Sequence, residues 1–79
     1  MVHANYDYGP GFDPEFRFES GQRADAINFE TREILELKPN NPAAIARGER
    51  QLANYISQAN SEFPKGPTFT GKVITYARP

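Results

Sequence analysis

Three residues of this chain have the types and the spacing needed to hold a metal ion beside a phosphate group. Asp25 is followed along the chain by Glu36 and, two positions later, by Lys38. Carboxylate oxygens are ligands that Mg²⁺ prefers, and a nearby ammonium group can stabilise charge that develops on a phosphate. The chain has no cysteine and one histidine, so a zinc site is not expected. These residue types indicate metal-dependent cleavage of a phosphodiester bond.

The three residues fall in two segments that the sequence pattern predicts as neighbouring strands of one hairpin. Residue composition favours strands over residues 23–29 and 33–38, joined by a tight turn. In the register that such a turn sets, Asp25 faces Glu36 directly, with Cβ atoms about 4.5–5.5 Å apart. Lys38 projects from the same face as Glu36, because alternate side chains of a strand share a face. A register shift of one residue would separate the two carboxylates and destroy the site.

The other predicted elements complete a small α/β domain. Alternating polar and aromatic side chains favour a first strand over residues 15–19, and high β propensity favours a last strand over residues 72–76. The strongest helix is predicted over residues 42–60, with Asn41 as its N-cap and Pro42 at its first position. The expected fold is a small mixed sheet of about four strands covered by one long helix.

One face of the predicted helix carries polar groups that could reach the hairpin. Gln51 and Tyr55 lie four residues apart and share this face with the small residues Ala44 and Gly48, which let a helix approach a sheet closely. Gln51 and Tyr55 would then come near Lys38 and hold nucleic acid or a bound water. The alternative is structural, with Tyr55 in the core and Gln51 at its boundary. The apolar stripe expected on the helix consists of Ile45, Leu52, Ile56 and Ala59.

Residues 1–14 are expected to form an irregular lead-in or linker, and residues 15–79 to form the domain. Two prolines and two glycines lie close together in the lead-in and stop any helix there. Tyr6, Tyr8 and Phe12 are expected to pack on the domain edge rather than stack on bases, since no basic residue lies among them. With 79 residues and no cysteine, the domain has a small core and no disulfide.

The charge of the chain is unevenly distributed. The net charge is −1, which is unusual for a nucleic-acid binder. Residues 1–40 carry four basic and eight acidic side chains, whereas residues 41–79 carry five basic and two acidic ones. One active site could use both halves, because the acidic half could bind a cation and the basic half could contact phosphates. Arg47 and Arg50 could contact a nucleic-acid backbone, or they could be ordinary solvated arginines. No apolar segment approaches the roughly 20 residues of a membrane span, so no membrane partner is expected.

The motifs together resemble those of the PD-(D/E)XK restriction-endonuclease superfamily. The matching positions are Asp25, the tripeptide Glu36-Leu37-Lys38, and Gln51 with Tyr55 on the following helix. The Gln-x-x-x-Tyr pair is similar to that of the RecB-like nucleases. Residues 21–55 resemble the toxin domains at the C-termini of bacterial polymorphic toxins, which include effectors delivered by contact-dependent and type VI secretion. The implied fold is a reduced restriction-endonuclease-like core.

The resemblance implies DNA cleavage that depends on Mg²⁺ or Mn²⁺ and needs no small-molecule cofactor. It implies that Asp25 and Glu36 ligate the metal with help from the Leu37 carbonyl, and that Lys38 and Gln51 belong to the catalytic set. It also implies a secreted effector that acts in the cytoplasm of a target bacterial cell. A cognate immunity protein would protect the producing cell.

The chain departs from the superfamily pattern in its first elements. The helix that usually precedes the first strand, often with an extra acidic residue, has no counterpart in residues 1–14, so Glu15 or Glu19 would have to substitute as an accessory acid. Ala24 stands where a proline customarily precedes Asp25. Two alternatives stay open: a non-enzymatic interaction module that keeps the nuclease-like fold, and a housekeeping DNA repair nuclease.

Overall fold

Residues 6–77, the part of the chain that the computed structural model describes, form four strands and one helix. In chain order these are β1 (Phe12–Arg17), β2 (Arg23–Asn28), β3 (Glu33–Pro39), α1 (Pro42–Glu62) and β4 (Thr70–Tyr76). The strands make one sheet in the order β1-β2-β3-β4, with antiparallel pairing up to β3 and parallel pairing of β3 with β4. The predicted small mixed sheet with one long helix is confirmed.

The hairpin of β2 and β3 has the predicted register. Ile27 faces Ile34, and Asn28 faces Glu33. The turn between the strands spans residues 29–32 and is longer than the tight turn that the sequence suggested. The Asn28 side chain closes it, since its Oδ1 accepts hydrogen bonds from two main-chain N–H groups of the turn over 2.9 and 3.0 Å. The longer turn leaves the register unchanged, so the alternation of faces along both strands is kept.

The first strand begins earlier than the sequence indicated. β1 starts at Phe12 and ends at Arg17, so the bounds predicted for this strand, residues 15–19, were wrong. Pro14 lies within β1 and pairs with Ala26 of β2. A proline is tolerated at this position because β1 is an edge strand, where some N–H groups have no partner strand.

The helix α1 begins as predicted. Asn41 is its N-cap, and Asn41 Oδ1 accepts a hydrogen bond from the Ala44 N–H over 2.8 Å, with Pro42 in the first turn. A cap of this kind contributes about 1 kcal/mol to stability. α1 ends at Glu62, two residues beyond the predicted end, and β4 begins at Thr70, two residues before its predicted start. No helix within residues 6–77 is long and apolar enough to cross a lipid bilayer.

The helix buries a face that is rotated from the predicted apolar stripe. The buried positions of α1 are Ala44, Gly48, Leu52, Tyr55 and Ala59. Ala44 and Gly48 thus lie against the sheet as predicted, whereas Ile45 and Ile56 of the predicted apolar stripe are only half-buried. Small residues decide the rotation, because they let the helix come close to the strands. A Cβ added to Gly71 of β4 would lie 2.7 Å from Leu52 Cδ1, so helix and strand are in direct contact there.

Arg32 closes the loop between α1 and β4. Its guanidinium group donates hydrogen bonds to the carbonyl oxygens of Phe63, Lys65 and Pro67 over 2.9, 2.7 and 3.1 Å. The same group lies over the ring of Phe69, 4.8 Å from the ring centre. These contacts hold the loop against the start of β3, at the opposite end of that strand from the predicted site.

Candidate active site between β2 and β3

Asp25 on β2 and Glu36 on β3 are linked through main-chain hydrogen bonds. The Asp25 N–H donates to Glu36 Oε1 over 3.1 Å, and the Leu37 N–H donates to Asp25 Oδ2 over 2.8 Å. The pairing of the two strands ends just before this point, at Ala26 and Leu35. Each carboxylate therefore accepts a hydrogen bond from a main-chain N–H of the opposite strand. The regular pairing of the two strands does not use these N–H groups. The two carboxylates lie together, as the predicted register requires.

Glu36 is a buried acidic residue, with 3% of its surface exposed. Burial raises the pKa of Glu36 from 4.5 to about 7, against the opposing effect of the hydrogen bond from the Asp25 N–H. The charge of Asp25 raises this pKa further, and the ammonium group of Lys38 lowers it. The site thus disfavours two negative charges unless a proton or a cation neutralises them.

One oxygen of each carboxylate is left for another ligand. The hydrogen bonds use Glu36 Oε1 and Asp25 Oδ2, and within residues 6–77 none ends on Glu36 Oε2 or Asp25 Oδ1. The same part of the chain contains no group of three or more His, Cys, Asp or Glu side chains that could hold a metal ion. Two carboxylates fit Mg²⁺, which is commonly held by one or two of them together with waters and substrate phosphates.

Lys38 lies on the same face of β3 as Glu36, toward α1. Its side chain runs past the helix at Gly48: Lys38 Cγ is 2.9 Å from the position that a Cβ of residue 48 would occupy. Lys38 is half-buried, and its ammonium group is close enough to lower the pKa of Glu36. The site therefore combines two paired carboxylates with a cationic side chain, a set that metal-assisted phosphate cleavage can use.

Tyr55 enters the same region from the buried face of α1. Its ring stacks on that of Phe18, with ring centroids 5.6 Å apart and an interplanar angle of 25°. Burial raises the pKa of Tyr55, and the charges of Glu36 and Asp25 raise it further. Tyr55 is thus part of the core and a neighbour of the two carboxylates. Its hydroxyl stays protonated at neutral pH and can donate a hydrogen bond.

Comparison with known proteins assigns the chain to a family. The family model for restriction endonuclease fold toxin 9 (Tox-REase-9) matches residues 1–76 of the 79 residues. The chain belongs to this family. No curated protein and no solved structure matches it. Membership of a restriction endonuclease fold toxin family indicates a nuclease toxin, and it agrees with the small α/β fold described above.

A polar flank of α1 faces the β1–β2 turn in this Tox-REase-9 domain. Asn54 and Gln58 donate hydrogen bonds to Gln22 Oε1 over 2.9 and 2.5 Å. Arg47 and Gln51 lie on the same flank, one or two turns nearer the start of the helix, and both are exposed. Since β2 starts directly after this turn, the flank borders the end of the sheet that carries the two carboxylates.

Two other predicted site residues lie away from the carboxylate pair of the Tox-REase-9 domain. Arg50 is exposed, and its position is almost opposite the buried face of α1. Glu19 is exposed in the β1–β2 turn, where its N–H donates a hydrogen bond to Glu62 Oε2 over 2.9 Å. Glu19 is thus held beside the C-terminal end of the helix rather than beside Asp25 and Glu36.

Tyr8 is a neighbour of the site that the sequence did not indicate; it was expected only to pack on the domain edge. Tyr8 is half-buried, and burial raises its pKa to about 12, with the charges of Asp25 and Glu36 as the next causes. Its ring packs on that of Tyr6, with ring centroids 4.9 Å apart. No local signal reveals this position, because the lead-in has no periodic pattern and its packing depends on residues distant along the chain.

Proposed function

We propose that this domain hydrolyses DNA phosphodiester bonds with Mg²⁺ or Mn²⁺ bound by Asp25 and Glu36. The observation that carries the proposal is the pairing of these carboxylates, which accept hydrogen bonds across the hairpin and each keep one oxygen for a cation. The raised pKa of Glu36 supports it, because a buried carboxylate beside another negative charge gains most from a bound cation. Membership of a restriction endonuclease fold toxin family supports nucleic-acid cleavage as the reaction.

The side chains of the hairpin have separate roles in this proposal. A bound divalent cation supplies a Lewis acid that polarises the scissile phosphate and lowers the pKa of a coordinated water. Asp25 and Glu36 hold the cation, and the main-chain hydrogen bonds restrict both carboxylates. The Leu37 carbonyl is the proposed additional ligand. Lys38 brings its ammonium group to the phosphate, where it stabilises the negative charge that develops when water attacks.

Residues of α1 are proposed to contact the substrate. Tyr55 has a hydroxyl near the carboxylates, and Gln51 has an exposed amide on the polar flank; both groups could hold a bound water or a phosphate oxygen. Arg47, on the same flank, would contact a backbone phosphate. Arg50 would contribute less, because its position on the helix is turned away from this flank.

The family also supports a biological role, that of the toxin domain of a secreted antibacterial effector. In this role the domain acts in the cytoplasm of a target bacterium, and a cognate immunity protein protects the producer. A toxin family favours this role over that of a housekeeping repair nuclease. Expression in bacteria tests it: the wild-type domain should stop growth, and the Lys38→Ala variant should be tolerated. Normal growth of cells that express the wild-type domain would count against a toxin.

Plasmid cleavage tests the proposed reaction directly. Supercoiled DNA is incubated with the domain and Mg²⁺, with and without EDTA, and the Glu36→Gln variant is compared with Glu33→Gln. Glu33 is a half-buried acid at the other end of the same strand, so it controls for the loss of an acidic side chain. Wild type and Glu33→Gln should cleave only without EDTA, and Glu36→Gln should be about 100-fold slower or more. Equal cleavage by wild type and Glu36→Gln would refute the proposal.

A non-enzymatic interaction module is the second candidate, and one observation favours it. Within residues 6–77 no third acidic side chain joins the pair, so a metal would have few protein ligands. Calorimetric titration with Mg²⁺ separates the two candidates. Absence of metal binding together with tight binding to a protein partner would favour the module. Micromolar binding of Mg²⁺ that Asp25→Asn abolishes would count against it.

A further inference from the structure

Gly48 occupies a position in α1 where glycine is unfavourable. It lies within the helix and is buried, and it is not among the glycines with positive φ. Glycine in a helix interior weakens the helix relative to alanine, because glycine loses more conformational freedom on folding. The backbone conformation therefore does not require glycine at this position. The reason for glycine lies in the limited space around its Cα.

The space beside Gly48 is filled by the side chain of Lys38. A Cβ at position 48 would lie 2.9 Å from Lys38 Cγ and 3.3 Å from Lys38 Cε. Val73 of β4 also lies close to this position, since its Cγ2 would be 3.2 Å from the added Cβ. The position of a Cγ atom is set by χ1, so Lys38 could make room for a methyl group only by redirecting its whole side chain.

We propose that Gly48 is a positioning residue for Lys38. Because Gly48 has no side chain, the Lys38 side chain can pack against the helix on the face of β3 that also carries Glu36. Val73, the partner of Glu36 in the β3–β4 pairing, is the other close neighbour of the same position. The inference rests on the proposed function, since Gly48 acts on the reaction only through the lysine.

The test is the Gly48→Ala substitution in the full chain, made in the wild-type and the Lys38→Ala backgrounds. The rate of plasmid cleavage with Mg²⁺ and the Mg²⁺ affinity by calorimetry are measured. Gly48→Ala should cleave about tenfold more slowly or worse, because a misplaced group loses rate steeply. Its Mg²⁺ affinity should stay within about twofold of wild type, since both carboxylates keep their hydrogen bonds. In the Lys38→Ala background the substitution should change the residual rate by less than about twofold.

Urea unfolding gives a readout that does not depend on catalysis. Gly48→Ala should raise the urea midpoint more, or lower it less, in the Lys38→Ala background than in the wild type. In that background the lysine no longer fills the space, so the higher helix propensity of alanine is gained without a clash. Equal effects in both backgrounds, on rate and on midpoint, would overturn the proposal, because Gly48 would then act only through packing.

Two outcomes require a further measurement: a Gly48→Ala variant that does not fold, and a wild-type protein that does not cleave DNA. If Gly48→Ala alone does not fold, it is made in a Val73→Ala background, which removes the second close neighbour. A cleavage rate for that double variant equal to that of Val73→Ala would overturn the proposal. If the wild-type protein does not cleave DNA, the proposed function fails. The coupling between Gly48 and Lys38 in urea unfolding would then decide whether Gly48 sets the position of the lysine.

Discussion

The main-chain N–H of Asp25 donates a hydrogen bond to the carboxylate of Glu36, at the point where the regular pairing of β2 and β3 stops. Leu37 returns a hydrogen bond to Asp25 Oδ2. Two main-chain donors thus fix two carboxylates whose charges repel each other. Loss of either side chain would release a strand N–H as well as a charge. The amide variants Asp25→Asn and Glu36→Gln keep most of this geometry, so they isolate the effect of charge.

The stability of the metal-free domain should depend on pH through Glu36. Burial raises the pKa of this carboxyl from 4.5 to about 7, so between these values the folded state keeps a proton that the unfolded state has released. The stabilising contribution is therefore complete below the unfolded value of 4.5 and is lost as the pH rises through about 7. With about 1.4 kcal/mol for each pKa unit, the loss is on the order of 3 kcal/mol.

Urea unfolding in EDTA, from about pH 4 to pH 8, measures this dependence on protonation. Glu36→Gln should flatten the decrease in the free energy of unfolding, and Glu33→Gln should leave it unchanged. Mg²⁺ should restore stability at the alkaline end for the wild type and not for Glu36→Gln, because a ligand of the folded state stabilises it. Identical pH profiles for wild type and Glu36→Gln would show that Glu36 has no raised pKa.

Arg32 should be a major contributor to stability and not to catalysis. Arg32→Ala removes three hydrogen bonds from a charged group to loop carbonyls and the contact with Phe69. We expect a loss of about 2–4 kcal/mol in the free energy of unfolding. Arg23→Ala is the matched control, since its exposed ion pair with Glu15 spans 3.7 Å and is worth about 0–1 kcal/mol. Equal losses for the two variants in urea unfolding would contradict this assignment.

Arg47 and Arg50 should differ in their effect on DNA binding. Arg47 lies on the polar flank of α1 that faces the β1–β2 turn, and Arg50 lies almost opposite the buried face. If Arg47 contacts a backbone phosphate, Arg47→Ala should weaken binding to all DNA sequences. It should also reduce the slope of the logarithm of the binding constant against the logarithm of the salt concentration by about 1. Arg50→Ala should have a smaller effect. Fluorescence anisotropy with a duplex, in Ca²⁺ and at several salt concentrations, makes the comparison; a larger effect of Arg50→Ala would reverse the assignment.

Local sequence signals were sufficient to predict the hairpin and the start of the helix. The register expected from the turn placed Asp25 opposite Glu36, and the alternation of side chains along β3 placed Lys38 on the same face as Glu36. The N-cap Asn41 and Pro42 are equally local, because capping depends on a few neighbouring residues. These features could be predicted since each depends on residues close together in the sequence or on one hairpin.

Tertiary packing decided the features that the sequence did not reveal. Pro14 was taken as the end of the lead-in, but an edge strand tolerates it, and edge position depends on the whole sheet. The small residues of α1 indicated which face approaches the sheet, but the apolar stripe with Ile45 and Ile56 did not, because close contacts at Gly48 and Gly71 set the rotation of the helix. Tyr8 lies close enough to Asp25 and Glu36 for their charges to raise its pKa, and this placement depends on packing between distant parts of the chain.

The most direct measurement is the position of Mn²⁺ in crystals of the wild type and of Asp25→Asn, located by anomalous scattering. We expect one wild-type peak between Asp25 and Glu36, about 2.1 Å from a carboxylate oxygen of each residue. The peak should be absent from Asp25→Asn, because the remaining carboxylate is a weaker site. No wild-type peak at this position, or a peak of equal height in both crystals, would contradict the claim that the two carboxylates hold a metal ion together.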